Sequence, residues 1–246
     1  MHLLIPAAGS GSRMKEEWTR QGKVQRNKLF LPLLGQPILA WTLLAAQSAP
    51  TIEWIGLIAQ PDDWPDVKTL LATLALTKPV AFIPGGDTRQ ASVYNGLRDL
   101  PSGAARVLIH DGARCLVTPD LLDRCSAALD HCQGFVAAIP VKDTIKVVAP
   151  ESQVVQATPD RRQLWAAQTP QGFDVAALRH CHDQGVQQRW SVTDDAALFE
   201  QGGLPVEIVP GEETNLKVTT PMDLAIAQFI LHQRGLDPHQ LAFFKT

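Results

Sequence analysis

No run in the sequence approaches the roughly 20 uninterrupted apolar residues that a membrane-spanning helix needs. Neither a basic leader region nor a cleavage pattern stands at the start, where Met-His opens a short run ending at Pro6. These absences set the expectation of a protein without an export signal that works in the cytoplasm or an organelle stroma. Cysteine is scarce: Cys115, Cys125, Cys132 and Cys181 include no C-x-x-C pair and lack the histidine spacing of a zinc site. They read as free thiols, buried or incidental. Positive charge is not in excess either, with 22 Lys and Arg against 25 Asp and Glu and a formal net charge of −3. That balance argues against a general nucleic-acid binder.

What remains is an ordinary globular composition, 45% hydrophobic and 19% charged over 246 residues. It is enough for a sizeable core in a single α/β unit. Short β-like runs alternate with helical patterns through the first half: "HLLIP", "IEWIGLIAQ", "VAFIP", "RVLIHD" and "FVAAIPV" as strands, with "ILAWTLLAAQS", "DDWPDVKTLLATLAL", "TRQASVYNGLRDL" and "PDLLDRCSAALDHC" as helices. Thr118 before Pro119 marks a helix start. Nearly continuous apolar strands separated by helices imply a mostly parallel sheet covered on both faces. The loops at the strand C-terminal ends then gather along one edge, where functional residues are expected.

The rhythm breaks after Val141. "DTIKVV" and "VVQATP" flank the turn formers of residues 149–153, which predicts a β-hairpin. A lone hairpin is marginally stable unless it packs on something, so it lies back on the domain or reaches a second subunit. The chain then returns to helix at "DVAALRHCHDQ", to a capped segment at Thr193-Asp194, to a strand "VEIVP" and to a closing helix after Thr220. No internal repeat, low-complexity linker or domain boundary is visible. The expected organisation is one domain over 1–236 with an arm at about 142–172, and a tail over 237–246.

The strand "HLLIP" runs into "AAGSGSRM". Closely spaced glycines after a strand suit phosphate binding, because exposed backbone N–H groups can ring an anion. The dinucleotide fingerprint is not met, since Met14 stands where the third glycine belongs, and the P-loop pattern is absent too. A tight turn with no ligand remains the alternative for the glycines alone. Arg13 offers a planar fork to phosphate oxygens and Lys28 a compact point charge, a pair that suits a triphosphate attacked at its α-phosphorus. Lys15, Arg20, Lys23 and Arg26 between them read as a solvated basic face.

Eight segments taken in order, "PAAGSGSRM", "NKLFLPLLGQPIL", "PGGDTRQASVYNGL", "HDGARC", "PVKDTIK", "DRRQLWAAQTPQGF", "TDDAALFEQGG" and "NLKVT", resemble the 2-C-methyl-D-erythritol 4-phosphate cytidylyltransferases over positions 3 to 230. The resemblance implies a Rossmann-like three-layer sandwich of the nucleotide-diphospho-sugar transferase type, with a protruding β-hairpin arm. It implies transfer of a cytidylyl group from CTP to 2-C-methyl-D-erythritol 4-phosphate, releasing pyrophosphate, in non-mevalonate isoprenoid precursor synthesis. It also implies Mg²⁺ on the CTP phosphates with no metal held by the protein alone, and a homodimer joined by the arm.

Residue by residue, the resemblance makes Pro6, Ala7, Ala8, Gly9 and Gly11 the loop that meets base and phosphates, with Gly86, Asp87 and Ser92 reading the cytosine edge. Arg13 and Lys28 become transition-state stabilisers, and Arg161 and Lys217 position the acceptor phosphate. Asp111 and Arg114 are placed by the ribose and the acceptor, and Thr144, Arg161 and Thr169 are expected to enter the neighbouring subunit's site. Thr193 and Asp194 either help bind the acceptor or only cap their helix. His110 reads as structural. The stretch before Lys28 is longer than the family pattern, which leaves Lys23 as the other candidate lysine, and Gly112 and Cys115 replace the usual alanine and proline, predicting a looser turn with a thiol nearby. The rival readings are a cytidylyltransferase for another polyol phosphate such as ribitol 5-phosphate, and a non-catalytic nucleotide-binding regulator.

Overall fold

The computed structural model describes residues 1–9 and 27–235; Gly11, Arg13, Lys23 and the 237–246 tail lie outside the described residues. In chain order the strands are β1 (His2–Pro6), β2 (Pro32–Leu33), β3 (Gln36–Pro37), β4 (Trp54–Ala59), β5 (Val80–Pro84), β6 (Arg106–Ile109), β7 (Gly134–Pro140), β8 (Val147–Val148), β9 (Val155–Ala157), β10 (Trp165–Asp174) and β11 (Glu207–Pro210). The helices are α1 (Ile38–Ser48), α2 (Trp64–Thr73), α3 (Arg89–Arg98), α4 (Pro119–Ala128), α5 (Val175–Gln188), α6 (Asp195–Gln201) and α7 (Pro221–Gln233).

The seven-stranded sheet has the order β11-β7-β10-β6-β1-β4-β5. Its pairs are parallel except for β10, which runs antiparallel to both β6 and β7. Consecutive residues of β1 face opposite layers. Leu3 and Ile5 join the core beneath α1, α2 and α4, whereas Leu4 joins the core beneath α3, α5 and α6. All three are fully buried, and each stabilises the fold by about 1.5–3 kcal/mol through its burial. The three-layer α/β sandwich is therefore as the sequence predicts. Helix α3 approaches the sheet closely because Gly96 carries no side chain: a Cβ there would lie 2.8 Å from Ile58 and 2.9 Å from Leu4.

Two features differ from the sequence expectation. Residues 165–172, assigned to the arm, form most of β10 inside the central sheet, bulged between Ala167 and Gln171. Their pattern escaped a strand reading because Gln168, Thr169 and Gln171 break the apolar run, yet all three are buried. The helix opened by Pro119 ends at Ala128, short of Cys132. The hairpin itself is present as β8 and β9, with Val147, Val148, Val154 and Val155 exposed.

Candidate active site

Strand order reverses between β1 and β6: successive strands β4 and β5 add on one side of β1, and β6 lies on the other. In open α/β sheets ligands bind beyond the strand ends at such a point. A cleft of about 600 Å³ opens there. Ladder hydrogen bonds extend past the strands to shape its floor: Ala7 N–H donates to the Ile58 carbonyl at 2.7 Å, Gly112 N–H to Pro6 at 3.1 Å, and Gly85 N–H to Ala59 at 2.9 Å.

The cleft is lined by Pro6, Ala7, Ala8, Gly9, Lys28, Gly86, Asp87, Ser92, Asp111 and Lys217 among the sequence-predicted residues. The small residues matter by what they leave empty. A Cβ on Gly85 would lie 2.4 Å from Ala8 Cβ, so the two loops touch only because that side chain is missing, while nothing lies within 4 Å of a Cβ on Gly9. Ser92 is buried, accepts from Gly86 N–H at 3.0 Å and donates to the Thr88 carbonyl at 2.8 Å. Its hydroxyl thus shapes the 86–88 loop, while Asp87 is exposed at the rim.

Lys28 sits on a short 3-10 helix over Lys28–Phe30. Asn27 fixes that turn: its Oδ1 caps Leu29 N–H at 3.1 Å, and its Nδ2 donates to the Ala7 carbonyl at 3.0 Å and to Asp63 at 2.7 Å. Lys28 is thereby tied to the start of the glycine loop, and its ammonium donates to the Val218 carbonyl at 2.8 Å.

Asp111 is the charged centre. Lys217 Nζ lies 2.6 Å from its Oδ2, and Arg89 Nε lies 3.2 Å from its Oδ1. Arg89 Nη1 reaches Asp195 at 2.7 Å. Burial opposes the charge on Asp111, but Arg89 and then Lys217 outweigh it and hold the carboxyl well below the usual range. Burial raises Asp195, although Arg89 resists the shift. Behind the centre, Asp111 N–H donates to Thr169 Oγ1 at 3.0 Å, and that hydroxyl lies 3.1 Å from His110 Nδ1. The Arg114 carbonyl, 3.1 Å from His110 Nε2, can only accept. Nε2 therefore carries the proton and the threonine hydroxyl donates to Nδ1. Burial pushes His110 down to about 4, so it is a neutral structural imidazole.

A second cavity of about 170 Å³ adjoins the cleft, lined by Arg114, Thr169, Thr193 and Asp194 with Gln168 and Gln171. Arg89, Asp111 and Lys217 line both cavities and form the wall between them. Asp194 does cap α6, accepting from Ala197 N–H at 2.9 Å, while its other oxygen accepts from Gln171 at 2.8 Å. Thr193 is exposed beside it.

Thr169 departs from expectation: it is buried within the body of its own subunit, behind Asp111, not on the arm. Thr144 and Arg161 are exposed on the arm and line neither cavity; Arg161 donates to the Lys142 carbonyl at 2.9 Å. The turn at Gly112 is not loose, since its N–H is bonded to Pro6 and its carbonyl accepts from Thr42 at 3.1 Å. Cys115 is buried and its thiol pushed up to about 12 by desolvation, which removes nucleophilic character. Arg89, Asn27, Asp195 and Gln171 went unread as site residues in the sequence. Arg89 carried one signal, a cation in the first turn of a helix, where the dipole disfavours it.

A profile of the family described as 2-C-methyl-D-erythritol 4-phosphate cytidylyltransferase matches residues 1–233. Proteins of that name from Trichormus variabilis and Acaryochloris marina are 65% and 67% identical over 234 residues, 95% of this chain, covering 99% and 95% of those proteins. Among solved structures, the 4-diphosphocytidyl-2C-methyl-D-erythritol synthase of Anaerococcus prevotii superposes with a TM-score of 0.80 at 29% identity, covering 94% of this chain and 97% of that one. The corresponding cytidylyltransferase of Thermus thermophilus gives 0.73 at 31% identity, covering 94% and 98%. With its switch-point cleft, its glycine loop and these likenesses along nearly its whole length, the chain belongs to the 2-C-methyl-D-erythritol 4-phosphate cytidylyltransferase family.

Proposed function

We infer that the chain transfers the cytidylyl group of CTP to 2-C-methyl-D-erythritol 4-phosphate and releases pyrophosphate, a step of isoprenoid precursor synthesis. The observation that carries this reading is the pair of adjoining cavities, a large one floored by the glycine loop and a small polar one, divided by Arg89, Asp111 and Lys217. The large cavity suits the nucleotide and the small one the polyol phosphate.

The 6–9 loop and the 86–87 loop receive the nucleotide, with Ser92 holding the second loop in shape. Lys28, joined by Arg13, meets the charge that builds on the equatorial oxygens as the α-phosphorus is attacked; fixed cations favour that state over the ground state. The acceptor phosphate oxygen forms the new bond to the α-phosphorus, the bond to the bridging oxygen breaks, and pyrophosphate departs. No side-chain nucleophile is required, because the acceptor is already an anion and alignment does most of the work. Lys217 and Asp111 line the small cavity assigned to the acceptor, and Arg114 adds positive charge to the lining of that cavity.

Magnesium fits as a companion of the triphosphate, neutralising its charge. Magnesium keeps several waters and is bound largely through substrate phosphates, and Asp111, the carboxylate that lines both cavities, already has two cationic partners. Two subunits join through the arm, which brings Thr144 and Arg161 to the partner's small cavity; the exposed valines of the arm support this reading. Among the described residues no helix is long and apolar enough to cross a membrane, which suits a cytoplasmic or stromal enzyme.

The reading is tested by pyrophosphate release with CTP and magnesium, comparing methylerythritol phosphate with ribitol 5-phosphate. Release that depends on the first acceptor supports it. Preference for ribitol 5-phosphate, or release with neither, overturns it.

A further inference from the structure

We propose that Arg89 is a positioning residue: anchored by Asp195, its guanidinium fixes the Asp111 carboxylate against Lys217 in the wall between the two cavities. The inference rests on the acceptor reading given above for the small cavity.

The geometry is specific. Nη1 goes to Asp195 Oδ2 at 2.7 Å and Nε to Asp111 Oδ1 at 3.2 Å, so one rigid fork spans two carboxylates contributed by different elements. Asp195 is the first residue of α6 and its side chain is only 2% exposed. Gln171, buried in β10, accepts from the N–H groups of Asp195 and Ala196 at 3.1 and 3.0 Å, which locks the anchor to the central sheet. Asp111 is likewise held by its backbone N–H on Thr169. Arg89 thus ties a carboxylate at the β6 edge to a fixed post on α6.

The stability of α3 alone does not explain an arginine here. It occupies the first position of α3, where the helix dipole works against a cation. Its Nη2 is buried without a hydrogen-bond partner among the described residues, a cost that native structures seldom leave unexplained. A lysine would give a point charge and could not serve both carboxylates in one plane. What the arrangement secures is the direction of Asp111, and through it of Lys217, which faces both cavities. Misplacing an aligning group by about 1 Å costs on the order of a hundred-fold in rate.

Asp111 is faced by Arg89 from α3, by Lys217 and Arg114, by the neutral His110 beside it, and by Asp195 beyond the guanidinium. Losing Arg89 leaves Lys217 as the nearer of the remaining cations, so ionised Asp111 becomes harder to maintain as pH falls.

The test compares the unsubstituted enzyme with Arg89→Gln, Arg89→Lys and Asp195→Asn, measuring kcat and both KM values from pH 5 to 9 alongside thermal unfolding. For Arg89→Gln we expect kcat/KM for methylerythritol phosphate to fall on the order of a hundred-fold, with KM for CTP nearly unchanged and the acid limb moved to higher pH. Arg89→Lys should recover only a small part of the loss, and Asp195→Asn should lose acceptor kcat/KM in the same sense but less. If Arg89→Gln does not fold, Asp195→Asn decides by the same split between acceptor and CTP. Unchanged acceptor kinetics in folded variants, or a loss falling equally on CTP, overturns the positioning role while leaving the enzyme's function intact. No product from the unsubstituted enzyme overturns the acceptor reading itself, and this inference with it.

Discussion

The ammonium of Lys217 lies 2.6 Å from the Asp111 carboxylate, although the two residues are 106 positions apart in the chain. The sheet makes the meeting possible: β6 delivers Asp111 to the strand edge, and the segment before α7 returns Lys217 to the same place. Lys217 Nζ thus waits with its charge balanced, and its side chain is 38% exposed. It can turn part of its hydrogen bonding to an arriving phosphate without leaving a buried charge unpaired.

Lys28 should prove to be a transition-state residue. Lys28→Ala is expected to lower kcat by about a hundred- to a thousand-fold, the usual effect of removing one fixed donor from developing charge, while CTP still binds by calorimetry. Lys23→Ala is expected to retain activity. The opposite pattern would show that the lysine belongs at 23.

Selection of CTP should depend on the 86–88 loop more than on any one side chain. Ser92→Ala removes the acceptor of Gly86 N–H and the donor to Thr88, and a lost buried hydrogen bond costs about 1–3 kcal/mol. KM for CTP should rise roughly ten-fold or more, and UTP should remain a poor substrate. Equal kcat/KM for CTP and UTP in the unsubstituted enzyme would refute a base-reading loop.

Much of the fold was legible in residue pattern. β1, β5 and β6 are short apolar runs, and Thr118 and Thr220 cap their helices as their sequence context predicts. β10 was not legible, because its polar residues are buried by bonding to loops far along the chain: Gln168 to Glu212 and Asn215, Gln171 to Asp194 and Asp195. Periodicity reads burial of apolar groups and is blind to such polar satisfaction. The same limit hid Arg89, whose two carboxylate partners lie 22 and 106 positions away. The glycine loop was legible in the residues themselves, as closely spaced glycines after a strand, whereas Asp111 and Lys217 were found through resemblance to ordered motifs.

The proposal that two subunits share each site is tested by subunit mixing. Lys28→Ala and Arg161→Ala enzymes are each expected to be strongly impaired. After exchange, a heterodimer should regain one good site, using the arm of the first subunit and the body of the second. Exchange confirmed by mass without recovered activity would show that no site borrows the partner's Arg161.

Two buried histidines predict an acid-sensitive fold. Burial lowers both His110 and His182 to about 4, from an ordinary value of 6.5. As pH falls from 6.5 toward 4 the unfolded chain binds protons at both positions and the folded chain does not, so stability declines. The slope is about 1.4 kcal/mol per pH unit for each histidine. Asp195, raised by burial, acts in the opposite sense over the lower part of that window. Urea unfolding between pH 7 and pH 4.5 should show the decline, and a His182→Gln variant should flatten it. Constant stability across that range would contradict neutral buried imidazoles.

The most direct measurement follows the phosphorus itself. Purified enzyme with CTP, magnesium and methylerythritol phosphate is monitored by phosphorus NMR beside its Lys217→Ala variant. The account predicts that the acceptor monophosphate signal is replaced by that of a diphosphate diester, with one pyrophosphate for each, and that the variant makes little of either. Pyrophosphate formed without the diester, or a variant as active as the parent, would contradict it.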